Sequence, residues 1–592
     1  MLQNSLRPNL YSLTSKIISK SGTTQKCQKN VSWLLNHGKY KSCSSIPISC
    51  YPFSTTCCLQ QTKAGIIESA YKPLTIPDNV DFGSFILSQL EQYKDRPLIE
   101  NGLTGVKYSY SDVISKSLKV ASAFKKSGYK PGDVMAVFST NNPEYLLVYI
   151  AAAAAGLTTT TMNSAYSAKE LKFHLENSEC CAIITTEELV STVKEAVGTS
   201  ETVKLKEIIV FGNSHGCRPF STLVEDDGTA LTEVYSGNAK EDVLVLPYSS
   251  GTTGLPKGVM LTHHNIVSNL LQLTILDFDT SDRILGILPF YHIYGMVCIL
   301  FSIITSGCSI YTLPKFEPEI FLSTLSKNRI TCAHLVPPLI LFLAKHPLVE
   351  DHDLSAIRRI FSGAAPLGKE LLLECKERLG VQEMIQGYGL TETSPVVHLS
   401  VPPIRHEGSV GTLIPNTAAK IIDPETNEIL GPMQTGEICI KGPQVMKGYL
   451  HRPEATADMI RDGWLYSGDL AHYDEDGHFY ITDRLKELIK YKGFQVPPAE
   501  LEALLITHPD IKDCAVIGIP DEKAGELPRA YVVCNDKSTI REEDVLNFVK
   551  ANVAPYKQLR GGVELVSEIP KSAAGKILRR ILRDSYKNKL ND

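Results

Sequence analysis

The chain has 592 residues, of which 43% are hydrophobic, and its net charge of −5 with a pI near 6.3 gives no basic footprint of the kind that binds nucleic acid. This composition is ordinary for globular proteins, and the length predicts more than one domain. No apolar run approaches the ~20 residues that a membrane helix needs, so the sequence predicts no transmembrane segment. The 15 cysteines include no CxxC pair and no Cys/His ligand spacing, which predicts reduced thiols in an intracellular compartment.

Residues 1–63 differ from the rest of the chain because they contain no Asp or Glu and many serines and lysines. Within them Leu6, Leu10, Leu13 and Ile17 recur at helical spacing. A basic, acid-free, amphipathic start is typical of a mitochondrial targeting leader, and a disordered extension is the alternative. The C-terminal residues 590–592 are Leu-Asn-Asp and not the Ser-Lys-Leu type of peroxisomal signal. The predicted location is mitochondrial, with peroxisomal or cytoplasmic as alternatives.

The middle of the chain alternates short apolar runs with helical stretches. Val134–Phe138 precedes Pro143–Ala155, and Ile284–Leu288 precedes a predicted buried helix at Met296–Thr305. This alternation predicts βαβ units in parallel sheets. From Val410 to Lys441 short strands and turns predict a small β subdomain.

After Asp483 the pattern changes to α+β, with amphipathic helices predicted at Pro498–Thr507 and Ile540–Val553. The predicted fold class is therefore α/β, with a large N-terminal domain of parallel-sheet βα layers, a small β subdomain, and a small mobile α+β C-terminal domain. The predicted boundaries are 1–63 for the leader, 64–485 for the large domain and 486–592 for the small one.

The stretch Tyr248–Gly258 reads YSSGTTGLPKG and follows the strand-like run Val243–Leu246. Behind it, an apolar periodicity after Thr262 indicates a helix, so the sequence predicts a small-residue loop between a strand and a helix. Backbone amides, hydroxyls and a lysine at such a turn suit a polyphosphate. The string is not the ordinary P-loop, because Pro256 stands where that pattern needs its second glycine.

This string resembles the phosphate loop of the adenylate-forming enzymes, which include acyl-CoA synthetases, 4-coumarate–CoA ligases and beetle luciferases. Four further stretches match that family in order. They are GYGLTE at Gly387–Glu392, YSGDL at Tyr466–Leu470, TDRLKELIKYKGFQVPPAE at Thr482–Glu500, and PKSAAGKILRR at Pro570–Arg580.

The resemblance implies an ATP-dependent acid–CoA ligase that forms an acyl-adenylate, releases pyrophosphate, and then transfers the acyl group to coenzyme A with release of AMP. It implies ATP, Mg²⁺ and CoA, and a small-molecule carboxylic acid, either aromatic and 4-coumarate-like or a medium- or long-chain fatty acid. A luciferase-type adenylating monooxygenase and a carrier-loading or nucleotide-sensing module are the alternatives.

The resemblance also assigns residues to roles. Those matching nucleotide contacts are Ser249, Ser250, Gly251, Thr252, Thr253, Gly254, Lys257, Gln386, Gly387, Tyr388, Thr391, Asp469 and Arg484. Thr391 and Glu392 match the metal position. Lys576 matches the lysine that bridges the acid and the α-phosphate, and Lys486 matches the hinge.

The remaining roles concern the acid and CoA. Residues matching the acyl pocket are His292, Tyr294, Gly363, Ala364, Gly387, Pro395 and Val396, of which His292 also faces the reacting carboxylate. Lys490 and Gln495 match residues of the thioester step. Lys315, Lys492 and Gly493 match CoA contacts. Because Lys576 and Lys490 cannot easily serve one place together, the resemblance implies that the small domain rotates between the two half-reactions.

Overall fold

The structure is a computed structural model that describes residues 65–249, 256–365, 367–401, 406–492, 494–535, 538–572 and 575–591. The predicted leader, the loop residues Ser250–Gly254, and Gly493 lie outside the described residues. In the described part of the chain, no helix has both the length and the apolar character needed to cross a membrane.

The first of two nine-stranded sheets has a parallel centre. Its strands, in spatial order, are Tyr248–Ser249, Lys257–Thr262, Val243–Leu246, Thr158–Met162, Val134–Phe138, Ala182–Thr186, Glu207–Phe211 and Arg218–Pro219, with Gly448–Tyr449 paired to Lys257–Thr262. Every residue of Thr158–Met162 and of Ala182–Thr186 is buried. Burial on both faces is what a parallel sheet covered by helices requires.

The second nine-stranded sheet is also parallel at its centre. Its strands, in spatial order, are Thr412–Leu413, Val396–Leu399, Glu383–Gly389, Arg359–Ser362, Cys332–Leu335, Arg283–Gly286, Ser309–Thr312, Pro97–Asn101 and Lys107–Ser109. The pairs from Glu383–Gly389 to Pro97–Asn101 are parallel.

Two smaller sheets follow. The six-stranded one contains Ile67–Glu68, Ala418–Ile422, Gly436–Lys441, Trp464–Tyr473 and Ile460–Arg461, with Phe479–Arg484 paired to Trp464–Tyr473. The five-stranded one contains Phe494–Val496, Ile489–Tyr491, Gly525–Cys534, Ile511–Asp521 and Val563–Leu565. The five-stranded sheet packs its own hydrophobic clusters, separate from the core of the other three sheets. The α/β class with a large and a small unit is confirmed, while the boundary at 485/486 stays a prediction.

The α-helices are Phe82–Gln92, Tyr110–Lys126, Glu144–Ala155, Ala168–Asn177, Val190–Gly198, Ser221–Val224, His263–Gln272, Pro318–Lys327, Pro337–Lys345, Lys369–Leu379, Pro453–Met459, Pro498–Ile506, Glu542–Asn552 and Arg579–Asn591. The buried helix predicted at Met296–Thr305 is buried and helical, with a π-helix at Tyr294–Phe301 followed by 3₁₀ turns at Ser302–Ser306. Apolar periodicity alone cannot distinguish these forms, because it does not report which carbonyl accepts each hydrogen bond.

The predicted position of the central loop, between a strand and a helix, is wrong. The loop joins two antiparallel strands, with Tyr248 opposite Gly258 and Ser249 opposite Lys257, and the helix begins only after the second strand. Residues 257–262 form that strand because Val259 and Leu261 alternate with other residues and are fully buried. Thr262 then caps the helix His263–Gln272 through a reciprocal pair of hydrogen bonds with Asn265.

Candidate active site

A cavity of about 870 Å³ lies where the two nine-stranded sheets, the six-stranded sheet and the C-terminal segment meet. Sixteen of the predicted site residues line it: Ser249, Lys257, His292, Tyr294, Gly363, Ala364, Gly387, Tyr388, Thr391, Glu392, Pro395, Val396, Asp469, Arg484, Lys486 and Lys576. Residues predicted from five separate motifs therefore face one volume.

Of the predicted site residues that the structure describes, five do not line this cavity. Gln386 is 7% exposed and lies on the strand Glu383–Gly389, where its neighbours Ile385 and Gly387 do face the cavity. Gln386 therefore lies between two residues that line the cavity without lining it itself, and its nucleotide contact stays a prediction.

The other four are exposed. Lys315 forms an ion pair of 2.8 Å with Glu317. Lys490 and Gln495 are cross-strand neighbours in the small sheet, and Lys492 lies in the turn between their strands with a φ of 48°. None of these four side chains lines the cavity. The predicted roles of Lys490, Gln495 and Lys492 therefore need a different placement of the small unit, and the CoA contact of Lys315 stays a prediction.

Asp469, Tyr388 and Arg484 form a connected polar group at the cavity wall. The Tyr388 hydroxyl donates to Asp469 Oδ2 at 2.8 Å, and Arg484 Nε lies 3.3 Å from Asp469 Oδ1. Asp469 and Arg484 are direct cross-strand partners, which fixes their approach. Burial raises the pKa of Asp469, and Arg484 and Tyr388 oppose that rise.

Asp469→Asn is expected to weaken ATP and AMP binding by roughly 10- to 100-fold, because a charge-assisted hydrogen bond contributes about 1.5–3 kcal/mol. The substitution keeps the size of the side chain. Calorimetry with AMP measures the effect, and Asp353→Asn, on the exposed surface, is the matched control. Equal AMP affinity in the two variants would refute the nucleotide role of Asp469.

Glu392 is the carboxylate best placed for a divalent cation. It is 6% exposed, and its Oε1 accepts a hydrogen bond of 2.7 Å from the Tyr449 hydroxyl. Its second oxygen accepts no hydrogen bond from the described residues. A buried carboxylate with an available oxygen fits Mg²⁺, which prefers oxygen ligands, and the neighbouring Thr391 adds another oxygen. When bound, Mg²⁺ neutralises phosphate charge.

Lys257 lies beside this carboxylate. Its Nζ is 4.2 Å from the centroid of the Tyr449 ring. Burial lowers the pKa of Lys257, while the nearby Glu392 opposes that shift. A lysine at the end of the central loop therefore stands next to the candidate metal ligand, as a phosphate-binding site requires.

Lys576 reaches the cavity from a tight turn near the C-terminus. The backbone N–H of Lys576 donates to Ser572 Oγ at 3.2 Å, and Gly575 in this turn has a φ of 76°. A Cβ on Gly575 would lie 3.2 Å from Val336 Cγ2, so glycine also permits the close approach to the large unit. Burial, and then the charge of Arg484, lower the pKa of Lys576 to about 8.

His292 is half-buried and lies close enough to Lys576 to be affected by its charge. Burial, together with the Lys576 charge, lowers the pKa of His292 to about 4, so the ring is neutral at pH 7. Its Nδ1 accepts a hydrogen bond of 3.2 Å from the Tyr294 backbone N–H. The proton therefore belongs on Nε2, which makes this nitrogen a donor for an anionic ligand atom.

The cavity has an aromatic wall made by Tyr294, His334 and Phe361, of which the sequence predicted only Tyr294 as a site residue. His334 stacks on Phe361 with ring centroids 4.3 Å apart and planes 7° apart, and the Tyr294 ring meets His334 edge-on at 5.7 Å. His334 and Phe361 lie on neighbouring parallel strands. Each of the two residues lies near the end of a short apolar run of the sequence. That position was the only signal in the sequence that could have identified them as site residues.

Comparisons with known proteins agree with this geometry. A family model described as AMP-binding enzyme matches residues 87–450, and one described as AMP-binding enzyme C-terminal domain matches 500–576. A 4-coumarate–CoA ligase of Humulus lupulus is 42% identical over 88% of this chain and 96% of its own length. A second, of Nicotiana tabacum, is 40% identical over 88% and 96%.

Solved structures are similar as well. ATP-bound MatB of Rhodopseudomonas palustris superposes with a TM-score of 0.78 at 29% identity, covering 86% of this chain and 99% of that one. A fatty acyl CoA synthetase of Mycobacterium tuberculosis gives a TM-score of 0.66 at 26% identity, with the same coverage.

Proposed function

This chain belongs to the AMP-binding enzyme family as an AMP-forming acid–CoA ligase, and we propose that the acid it activates is aromatic and of the 4-coumarate type. Its substrates are a small-molecule carboxylic acid, ATP and coenzyme A, with Mg²⁺ as the cofactor. The alternative is that the acid is a fatty acid of medium or long chain.

The observation that carries the proposal is the aromatic wall made by Tyr294, His334 and Phe361. The stacked His334 and Phe361 rings present a flat, rigid surface, and aromatic rings prefer offset or edge-to-face contact with a partner ring. Gly363 leaves space in front of Tyr294, because a Cβ there would lie 3.0 Å from Tyr294 Cε1. The relatives at 40–42% identity are ligases of 4-coumarate, which supports the same class.

The proposed chemistry assigns each charged group a task. The His292 Nε2–H holds one oxygen of the incoming carboxylate, and the Lys576 ammonium lies between that carboxylate and the α-phosphate. A cation fixed between two anions lowers the barrier because no solvent must reorganise around it. Asp469 holds the ribose, and Lys257 with Glu392 serves the phosphate end.

A panel of acids tests the proposal by measuring AMP release with ATP and CoA present. Hydroxycinnamic and other aromatic acids are expected to give the highest kcat/KM, and fatty acids of medium and long chain much lower values. A preference for fatty acids would overturn the aromatic assignment without affecting the ligase assignment. Light emission with luciferin and oxygen, in place of CoA-dependent turnover, would indicate the luciferase alternative.

Gly363→Val is expected to raise KM for the preferred aromatic acid by about tenfold or more, because its side chain fills the space before Tyr294. ATP affinity should change little. Gly198→Val, where an added Cβ meets nothing within 4 Å, is the matched control. An unchanged KM in Gly363→Val would mean that the acid binds elsewhere.

We also propose that residues 1–63 direct the protein to mitochondria. The support is their basic, serine-rich composition without any acidic residue. Fused to a fluorescent reporter, this segment is expected to co-localise with a mitochondrial marker. Replacing its seven lysines, Lys63 included, and its one arginine by glutamine gives a control that should remain diffuse, and a diffuse signal from the unaltered segment would contradict the proposal.

A further inference from the structure

A histidine–aspartate cluster lies outside the residues that line the cavity. It consists of His406, Asp474 and His478, and the candidate ligand atoms of the three lie within 4.8 Å of one another. His406 Nδ1 is 2.7 Å from Asp474 Oδ2, and His478 Nδ1 is 3.8 Å from Asp474 Oδ1. We propose that His406, Asp474 and His478 form a binding site for a divalent transition-metal ion of the Zn²⁺ type.

The donor set supports this class of ion. Two imidazole nitrogens and one carboxylate oxygen suit Zn²⁺, Ni²⁺ or Cu²⁺, whereas Mg²⁺ and Ca²⁺ prefer oxygen alone. Two ligands on a tetrahedral Zn²⁺ stand about 3.4 Å apart when each bond is about 2.0–2.1 Å. The distance from His406 Nδ1 to Asp474 Oδ2, 2.7 Å, lies below that value, and the distance from His478 Nδ1 to Asp474 Oδ1, 3.8 Å, lies above it. Both distances must therefore shift towards about 3.4 Å when the ion binds.

The carboxylate at the centre of the cluster is held in place by hydrogen bonds. Asp474 Oδ1 accepts from the backbone N–H groups of Asp476 and His478, at 3.1 and 2.9 Å, and Oδ2 accepts from the Tyr480 hydroxyl at 3.0 Å. These bonds fix the orientation of the carboxylate towards the two histidines.

The two imidazole rings differ in how freely they can rotate. They stack with centroids 3.9 Å apart and planes 19° apart, so both nitrogens cannot point at one ion without a rotation. The His406 side chain is 31% exposed and has room to turn, whereas His478 is 2% exposed and fixed. Binding through Nδ1 thus replaces the hydrogen bond between His406 and Asp474, and the ring hydrogen moves from Nδ1 to Nε2, so the ring stays neutral.

A second carboxylate stands behind His406. Asp476 Oδ2 lies 3.7 Å from His406 Nε2, the nitrogen that would not ligate the ion. A carboxylate in that place orients a metal-ligating histidine and raises its basicity.

The ion would join two segments that already touch. The hairpin turn at 474–478 connects the strands that carry Asp469 and Arg484. The segment after His406 is bonded to the same hairpin, since Ser409 Oγ donates to the Phe479 carbonyl at 2.8 Å. A metal at the cluster is therefore a structural clamp on the hairpin and leaves the chemistry of the cavity unchanged.

Titration of chelator-treated full-length protein with ZnCl₂ by calorimetry tests the site. We expect a saturable equivalent of Zn²⁺ and a rise in Tm of about 2 °C or more at saturation. The double variant His406→Asn/His478→Asn should lose that equivalent, with at least tenfold weaker binding. His215→Asn, an exposed histidine elsewhere, is the matched control and should bind as the unaltered protein does.

Two further measurements separate a metal site from a loss of folding. Asp476→Asn leaves all three ligands in place and should weaken Zn²⁺ binding by about tenfold. The variants should keep the AMP-release activity of the unaltered protein in the absence of Zn²⁺, which reports an intact fold. Zn²⁺ binding of equal stoichiometry and affinity in the double variant, or no saturable binding in the unaltered protein, would overturn the proposal.

Discussion

Lys576→Ala is expected to lower the rate of adenylate formation from free acid by about 100- to 1,000-fold, the usual effect of removing one preorganised electrostatic group. Lys576 lines the cavity, and its ammonium is close enough to His292 to help lower the pKa of that ring. Thioester formation from supplied acyl-adenylate should be largely retained, because the two anions have already reacted. Pyrophosphate release and thioester formation are the paired measurements.

The pH dependence of the same step gives a second readout. The pKa of Lys576 is lowered to about 8, so the charged form dominates below pH 8 and is lost as pH rises through that value. The kcat/KM for adenylation should therefore fall above about pH 8, since this parameter reports ionisations of the free enzyme. Lys576→Arg should retain its charge at higher pH, so the decrease in kcat/KM should begin at a higher pH.

Controls distinguish this role from a folding defect. Lys571, five residues earlier, forms an ion pair with Asp513 at 2.6 Å and does not line the cavity. Lys571→Ala thus removes a lysine from the same segment. An equal loss of both half-reactions in Lys576→Ala, or an equal loss in Lys571→Ala, would contradict the assigned role.

Lys486→Pro is expected to slow transfer of the acyl group to CoA by about 100-fold, while adenylate formation remains substantial. In the structure Lys576 lines the cavity and Lys490 does not, so the second lysine needs a different orientation of the small unit. Proline fixes φ near −65° at position 486 and restricts Leu485 as well. The variant should therefore retain one orientation.

A hydrogen bond across the predicted hinge indicates what such a rotation must break. The Ala499 backbone N–H, in the first turn of Pro498–Ile506, donates to Asp483 Oδ2 at 3.0 Å. Lys486→Ala keeps the backbone free and is the matched control, so it should affect CoA transfer far less. Normal thioester formation from supplied acyl-adenylate in Lys486→Pro would mean that no rotation about this residue is needed.

The sequence by itself determined the reaction class and most of the charged residues that face the cavity. Of the sixteen predicted positions that line this one volume, ten come from five ordered strings. A short string of this kind contains both the functional side chains and the turn that carries them. The turn therefore presents the same side chains wherever the fold places it. The alternation of apolar runs was likewise enough to predict the parallel sheets, because a strand that is buried on both faces is a continuous apolar run in the sequence.

Only the tertiary structure decided which neighbours share a face and which distant residues meet. Gln386 does not line the cavity, although its neighbours Ile385 and Gly387 on the same strand do. His334 and Phe361 form one wall because their strands pair in parallel register. His406 and Asp474 are 68 positions apart with no ligand spacing between them, and they meet because the paired hairpin brings its turn to the earlier segment that carries His406. Strand register is set by the packing of whole sheets, so contacts of this kind have no signature in any single stretch of the chain.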